Sequence, residues 1–153
     1  MVSPAIDQIV QDLTRLSVAY ALALPIGWNR EKEARSAGLR TFPIVAIASC
    51  GLGMLGASVT NNAPDALSRI LQGLVTGIGF VGGGAILRAK HHVSGTATAA
   101  SVWNVGILGV AVGVGNYHIA VVLSIVNLLT LQYLTPFKKE LHLEQEREKL
   151  RDG

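Results

Sequence analysis

Charged residues are scarce in this chain, and acidic residues are nearly absent from its middle. Only 15% of the 153 residues are charged, against about 25% in soluble domains. Asp65 is the single acidic residue between Ala34 and Lys139. A chain of this length cannot cover several uncharged helices with its own polar surface, so these scarcities exclude a water-soluble domain.

Cysteine and aromatic residues are also rare, which excludes further classes of protein. The lone cysteine, Cys50, rules out a disulfide framework and a thiolate metal cluster. The net charge of +3 is compatible with nucleic-acid binding, but aromatic residues make up only 5% and are not interleaved with the basic ones, so no nucleic acid is expected as a partner. No nucleophile–base pair stands out, and the chain is therefore not expected to be an enzyme.

Long uncharged stretches are the main feature that the sequence does have. They cover residues 41–60, 70–87 and 93–137, and a bilayer core of about 30 Å needs roughly 20 apolar residues per helix. The first dozen residues hold Asp7 and Asp12 but no Lys or Arg, which argues against a cleavable signal sequence and for a retained first span. The sequence predicts an all-α, polytopic membrane protein with about five transmembrane helices, at about 6–28, 41–60, 67–87, 95–115 and 117–137. Residues 1–137 form the predicted transmembrane domain, and 138–153 form a short charged tail that can continue the last helix.

The basic residues predict the orientation of these spans. Of the 13 Lys and Arg residues, 11 fall in the loops after spans one and three or in the tail, leaving only Arg15 and Arg69 elsewhere. Because basic residues accumulate on the cytoplasmic side, the N-terminus is expected outside and the C-terminus inside.

Span three is rich in glycine. Residues 77–82 match GxGxxG, but the motif lies inside an apolar span with no acidic residue about 20 positions later, so dinucleotide binding is rejected. Gly73 and Gly77 are four residues apart, as are Gly79 and Gly83, and such pairs allow a neighbouring helix to approach closely. The alternative, left open, is an unwound segment that lines a polar cavity. The packing interpretation predicts that Gly77→Leu disrupts assembly far more than Gly115→Ala.

A few polar residues accompany these spans. Asp65 and Arg69, four residues apart at the start of span three, are either a helix-starting surface pair or part of a vestibule on the outer face. Asp65 is the candidate metal ligand, although one carboxylate is a sparse site for Mg²⁺ unless symmetric assembly brings several copies together. Thr98 and Asn104 in span four are the best candidates to line a path, against the alternative that they hydrogen-bond between helices.

Four segments, taken in order, resemble the MgtC/SapB family. They are Gly27-Trp28-Asn29-Arg30-Glu31, Ala37-Gly38-Leu39-Arg40-Thr41, the glycine run 77–84 that includes Gly82, and Gly95-Thr96-Ala97-Thr98-Ala99-Ala100. The resemblance covers about residues 15–135 and implies a multi-pass protein of the bacterial inner membrane, associated with growth or survival under magnesium limitation. Asn29 stands where the family usually has Glu, and Asp65 precedes Arg69 by four residues rather than three.

Two functions follow as alternatives. The first is a magnesium transporter or channel subunit built around Asp65 and the glycines of span three, with Mg²⁺ as substrate or ligand and no cofactor; it is slightly favoured. The second is a regulator that binds another membrane complex and moves no ions. Besides the lipid bilayer, a homo-oligomer is expected, and a membrane protein partner is the alternative.

Overall fold

The computed structural model describes residues 4–33, 37–59, 64–89 and 92–151, with side chains described in these ranges except at 64, 66, 88, 89, 92 and 135–151. Five long helices dominate this part of the chain. They are α1 (Pro4–Glu33), α2 (Thr41–Val59), α3 (Pro64–Gly84), α4 (Thr96–Gly113) and α5 (Tyr117–Arg151), with β1 (Leu87–Ala89) and β2 (His92–Ser94) between α3 and α4. The predicted all-α, multi-pass class is confirmed.

The helices follow the uncharged stretches closely, with one clear correction. Span three was expected to end at residue 87, but α3 ends at Gly84. The backbone amides of Ala85 and Ile86 bond to the carbonyls of Gly82 and Gly83 at 3.0 and 3.1 Å, which tightens the last turn and ends the helix. Leu87 then enters an antiparallel hairpin in which it pairs with Ser94, so this connection is a short ribbon rather than an irregular loop.

Helix α4 lies at the centre of the bundle and contacts each of the other four helices. Its apolar window is 61% buried, against 17–39% for the windows of the other candidate spans. The guanidinium of Arg15 in α1 donates to the carbonyl of Gly113 at 3.0 Å, where the positive charge meets the negative end of the α4 dipole. On α5, the Ser124 hydroxyl donates to the carbonyl of Leu22 at 2.7 Å.

The contacts of α4 also fix the directions of its neighbours. Ile78 and then Gly82 of α3 approach Gly106 and then Ala99, so α3 and α4 run in opposite directions. The first turns of these two helices, one holding Asp65 and the other Thr98, therefore lie at opposite ends of the bundle.

Four of the described helices can cross a membrane by length and composition: α1, α2, α4 and residues 117–134 of α5. Helix α3 is long enough, since its 21 residues span about 30 Å. It falls short in apolarity because Asp65, Arg69, Gln72 and Thr76 lie along it. The positions of these four polar residues around the helix determine which side of α3 can serve as a functional surface.

Candidate functional site

The polar residues of α3 form one stripe. Asp65, Arg69, Gln72 and Thr76 are spaced four, three and four residues apart, which places them on one side of an α-helix, and all four are exposed. Gly79 and Gly83 continue the same line and are exposed as well. We call this set the α3 face: Asp65, Arg69, Gln72, Thr76, Gly79 and Gly83.

The opposite side of α3 holds the helix against the bundle. Ile78 is only 6% exposed and lies over Gly106 of α4. A Cβ on Gly82 would lie 3.1 Å from the carbonyl oxygen of Ala99, so Gly82 is a point of close contact within the chain. Because these residues anchor α3 from behind, the α3 face points away from α4. In a single copy of the chain it would point into the lipid.

Hydrogen bonds within the helix partly satisfy the stripe. The Thr76 hydroxyl donates to the carbonyl of Gln72 at 2.9 Å, and the Gln72 amide lies 3.5 Å from the Ser68 hydroxyl. Within the described residues, Asp65 and Arg69 form no salt bridge with each other, so the predicted pairing of the two is not formed here. Both charged side chains are exposed at this end of α3, where Arg69 also borders the cavity between α2 and α3.

Among the described residues, the paired glycines of α3 have no close neighbour. A Cβ added at Gly73, Gly77, Gly79 or Gly83 would meet nothing within 4 Å. Gly73 and Gly77 border a cavity of about 490 Å³ between α2 and α3, together with Val45, Ala48, Ser49, Leu52, Arg69, Ile70, Leu74, Ile78 and Val81. Helix α3 is also continuous through its glycines as far as Gly84, so the alternative of a broken span is not what the structure shows. In the part of the chain that the structure describes, no helix packs tightly on Gly73 or Gly77.

The close helix contact inside the chain lies elsewhere, between α2 and α4. A Cβ on Gly109 would overlap the carbonyl of Ala46, and one on Gly113 would overlap that of Cys50. Sequence reasoning missed this contact. Gly109 and Gly113, four residues apart in one span, are the pattern that indicates it.

The candidate lining residues of α4 lie inside the bundle. Thr98 is 1% exposed and Asn104 is half-buried, and among the described atoms the Thr98 hydroxyl and the Asn104 carbonyl oxygen have no hydrogen-bond partner. The neighbouring Ser101 hydroxyl donates to the Asn127 amide oxygen at 3.1 Å, linking α4 to α5. These residues are far from Asp65 and do not join it in one site.

The end of α1 and the start of α2 form a packed corner. Arg30 is only 4% exposed, and its guanidinium donates to the side-chain oxygen of Asn29 at 2.9 Å. A Glu31 carboxylate oxygen accepts from the backbone amide of Leu39 at 3.0 Å, and a Cβ on Gly38 would overlap the Glu31 side chain. This explains why glycine stands at residue 38.

Arg40 and Thr41 lie at the edge of that corner. Arg40 is exposed, and Thr41 is half-buried as the first residue of α2. Asn29 and Arg30 are thus part of the packing of the corner, whereas Arg40 is free to contact lipid headgroups or a partner.

A preformed cage for a divalent cation is not found in the part of the chain that the structure describes. No group of three or more His, Cys, Asp or Glu side chains there could hold a metal ion.

These features define a multi-pass helical membrane protein with a packed core and one polar outward face. A model of the MgtC family matches residues 16–140. The chain belongs to the MgtC family.

Individual relatives agree with this membership. The chain is 34% identical to Protein SrpB of Synechococcus elongatus over 148 residues, covering 89% of this chain and 81% of the relative. It is 32% identical to Protein SapB of Bacillus subtilis over 80% of this chain and 56% of that protein. With Protein MgtC of Salmonella typhimurium the identity is 36%, over 76% of this chain and 49% of the relative. The matched region thus spans about half the length of the last two. No solved structure matches the chain.

Proposed function

We propose that this protein acts in magnesium homeostasis in the bacterial inner membrane and that it moves Mg²⁺ along the α3 face. Family membership supports the physiological setting, through the resemblance to proteins associated with magnesium limitation. The observation that supports the route is the exposed polar stripe on a helix long enough to span the bilayer. Polar and ionisable groups inside membranes usually line a water-filled path or contact protein.

The chemistry of the stripe suits a hydrated divalent cation. Mg²⁺ keeps several of its waters and binds through one or two carboxylates. Asp65 offers the carboxylate at one end of α3, and Gln72 and Thr76 offer oxygen atoms about two and three turns further along. The excess of basic residues in the loops after spans one and three predicts that Asp65 lies on the outer side, where an imported cation would arrive.

The core of a single copy is a poor alternative route. Its polar groups include the pairs Ser101–Asn127 and Ser124–Leu22, which link neighbouring helices. Hydrogen bonds of this kind hold membrane helices together and typically contribute about 0.6–2 kcal/mol each. On this proposal, transport uses the outward surface of α3.

Flux measurements in liposomes test this proposal. Purified protein is reconstituted around a magnesium-sensitive dye, with Asp65→Asn as the test variant and Asp7→Asn, an exposed carboxylate on α1, as the matched control. Wild type and Asp7→Asn should admit Mg²⁺, and Asp65→Asn should lose most of the signal. No flux from correctly folded wild-type protein would reject transport.

A second function, regulation of another membrane complex, has its own supporting observation. Arg69 lies one turn from Asp65 on the same face, so the stripe offers a cation both an attractive and a repulsive charge. A surface that binds another protein does not have to let a cation pass, so both charges are compatible with docking. If regulation is the function, Gly77→Leu should impair growth at low magnesium. Neither the wild type nor any variant should then support Mg²⁺ flux in liposomes.

A further inference from the structure

We propose that the α3 face is a self-association surface, covered by α3 of a second copy of this chain in a parallel pair about a two-fold axis along the membrane normal. The proposal does not rest on magnesium transport, because the face needs a cover whether or not ions move along it.

The first reason is the cost of leaving this face in lipid. Gln72 and Thr76 lie about two and three turns from the start of α3, and both are exposed. The Gln72 side-chain amide makes only a 3.5 Å contact with Ser68. An amide in hydrocarbon without good partners is strongly unfavourable, and membrane proteins cover such groups with protein. In the parallel pair, residues at equal depth meet, so Gln72 and Thr76 of the two copies face each other and exchange hydrogen bonds.

The second reason is the pattern of charge, which is complementary to itself. Asp65 and Arg69 are separated by one helical turn, about 6 Å along the axis. Two parallel copies related by a two-fold axis place each Asp65 within reach of the long side chain of the partner's Arg69, and the pair forms twice. An anionic lipid would pair with Arg69 but would be repelled by Asp65. The charges therefore favour a second copy over a lipid headgroup.

The third reason is the shape of the surface next to the stripe. Phe80 is 86% exposed, more than any other large hydrophobic residue described as exposed. On the same side of α3 lie Gly83 and Gly84, three and four residues after it, and neither has a described neighbour within 4 Å of an added Cβ. In parallel knobs-into-holes packing, such positions wall the hole that receives the equivalent residue of the partner helix. The missing side chains give Phe80 of each copy room against the other.

Disulfide crosslinking in native membranes tests the proposal. In a Cys50→Ala background, single cysteines are placed at Gln72 and Thr76, and at Val122 on α5 as a control that is also exposed, at 57%. A disulfide needs Cα atoms roughly 4.4–6.8 Å apart, which equal-depth positions at a two-fold seam can reach. Gln72→Cys and Thr76→Cys should give homodimers on mild oxidation, and Val122→Cys should remain monomeric.

Charge exchange provides a second readout that does not depend on cysteine. Asp65→Arg and Arg69→Asp should each weaken crosslinking at residue 76, since each places like charges across the seam. The double exchange should restore crosslinking at residue 76. If the single changes acted by disturbing the fold, the second change would not repair the loss.

Several results would overturn the proposal. They are absence of crosslinks at residues 72 and 76, equal crosslinking at 122, capture of a different protein by the cysteine at 76, or a monomer with bound phospholipid in native mass spectrometry. Crosslinks without flux would keep this inference and reject transport, whereas flux without crosslinks would do the reverse.

Discussion

At the scale of single residues, the glycines of this bundle fall into two kinds that differ in what surrounds the missing side chain. Gly109 lies against the backbone of α2, where Ala46 and Ser49 leave no space for a methyl group. Gly77 faces open space on α3. In a helix, alanine is favoured over glycine by about 1 kcal/mol, so the surroundings decide whether that gain is realised.

We predict opposite effects for two glycine-to-alanine changes. Gly109→Ala should lower the thermal stability of the detergent-solubilised monomer, because overpacking of this kind costs about 1–3 kcal/mol. Gly77→Ala should leave it unchanged or raise it slightly. The measurement is the unfolding temperature of each variant at matched protein concentration. Equal destabilisation by both would contradict the placement of Gly109 in the α2–α4 contact.

Gly115 is a third case, in which space is available but the backbone conformation excludes a side chain. Nothing lies within 4 Å of an added Cβ, yet φ is 86°. From the sequence alone, Gly115→Ala is the mild substitution for comparison with Gly77→Leu. This expectation overlooks the left-handed backbone conformation of residue 115. Gly115→Ala should cost about 1–2 kcal/mol, whereas Gly115→Asn should cost less because asparagine tolerates this conformation. Thermal unfolding of the two variants measures the difference, and equal losses would show that the conformation at residue 115 is not the cause.

At the scale of elements, α3 is the exception among the five helices. Helices α1, α2, α4 and α5 carry windows apolar enough to enter a bilayer by themselves. Helix α3 has the length to do so but carries Asp65, Arg69, Gln72 and Thr76 along one side. Its stable residence in the membrane therefore depends on the neighbours that it finds there.

An insertion assay makes this dependence measurable. As an isolated segment offered to a translocon, α3 should insert less efficiently than α2, and Gln72→Leu with Thr76→Leu should raise the inserted fraction, because polar groups near the middle of a span oppose insertion. Ile78→Leu, on the inward side, is the matched control and should change little. Efficient insertion of unmodified α3 would contradict this account.

The sequence predicts the helices better than their contacts. Uncharged stretches separated by basic residues locate α2 almost to the residue, predicted at 41–60 and found at Thr41–Val59. The β1–β2 hairpin was missed, since its two strands of three residues lie partly within an apolar run that also suits a helix.

For the candidate site too, the sequence predicts the residues better than their contacts. Asp65, Arg69 and the glycines of α3 can be picked out by composition, but Gly82 and Gly77 look alike in the sequence. Only tertiary packing shows that Gly82 meets Ala99 while Gly77 borders the cavity between α2 and α3. Which side of α3 turns toward α4 depends on Ile78 and on the complementary gap at Gly106, and these contacts involve residues distant in sequence.

At the scale of the whole molecule, the distribution of basic residues predicts one orientation in the membrane. At a fusion point after residue 153, a reporter that works only outside the cytoplasm should give no signal. A reporter that works only in the cytoplasm should give a signal at the same point. Fusion at residue 62, between α2 and α3, should give the opposite pattern. Identical patterns at the two positions would overturn the proposed topology.

The central position of α4 has a consequence for the time course of biosynthesis. Helix α4 is the fourth helix to leave the ribosome, yet each of the three helices made before it contacts it in the complete bundle. Until it arrives, Ile78 has no glycine to pack over and Arg15 has no carbonyl of Gly113 to bind. Helices α1 to α3 therefore form an incomplete bundle, held by the contacts of α2 with α1 and α3, and the bundle closes only when the latter part of the chain has been translated. Nascent chains stalled before residue 96 should be the form most exposed to membrane quality-control proteases.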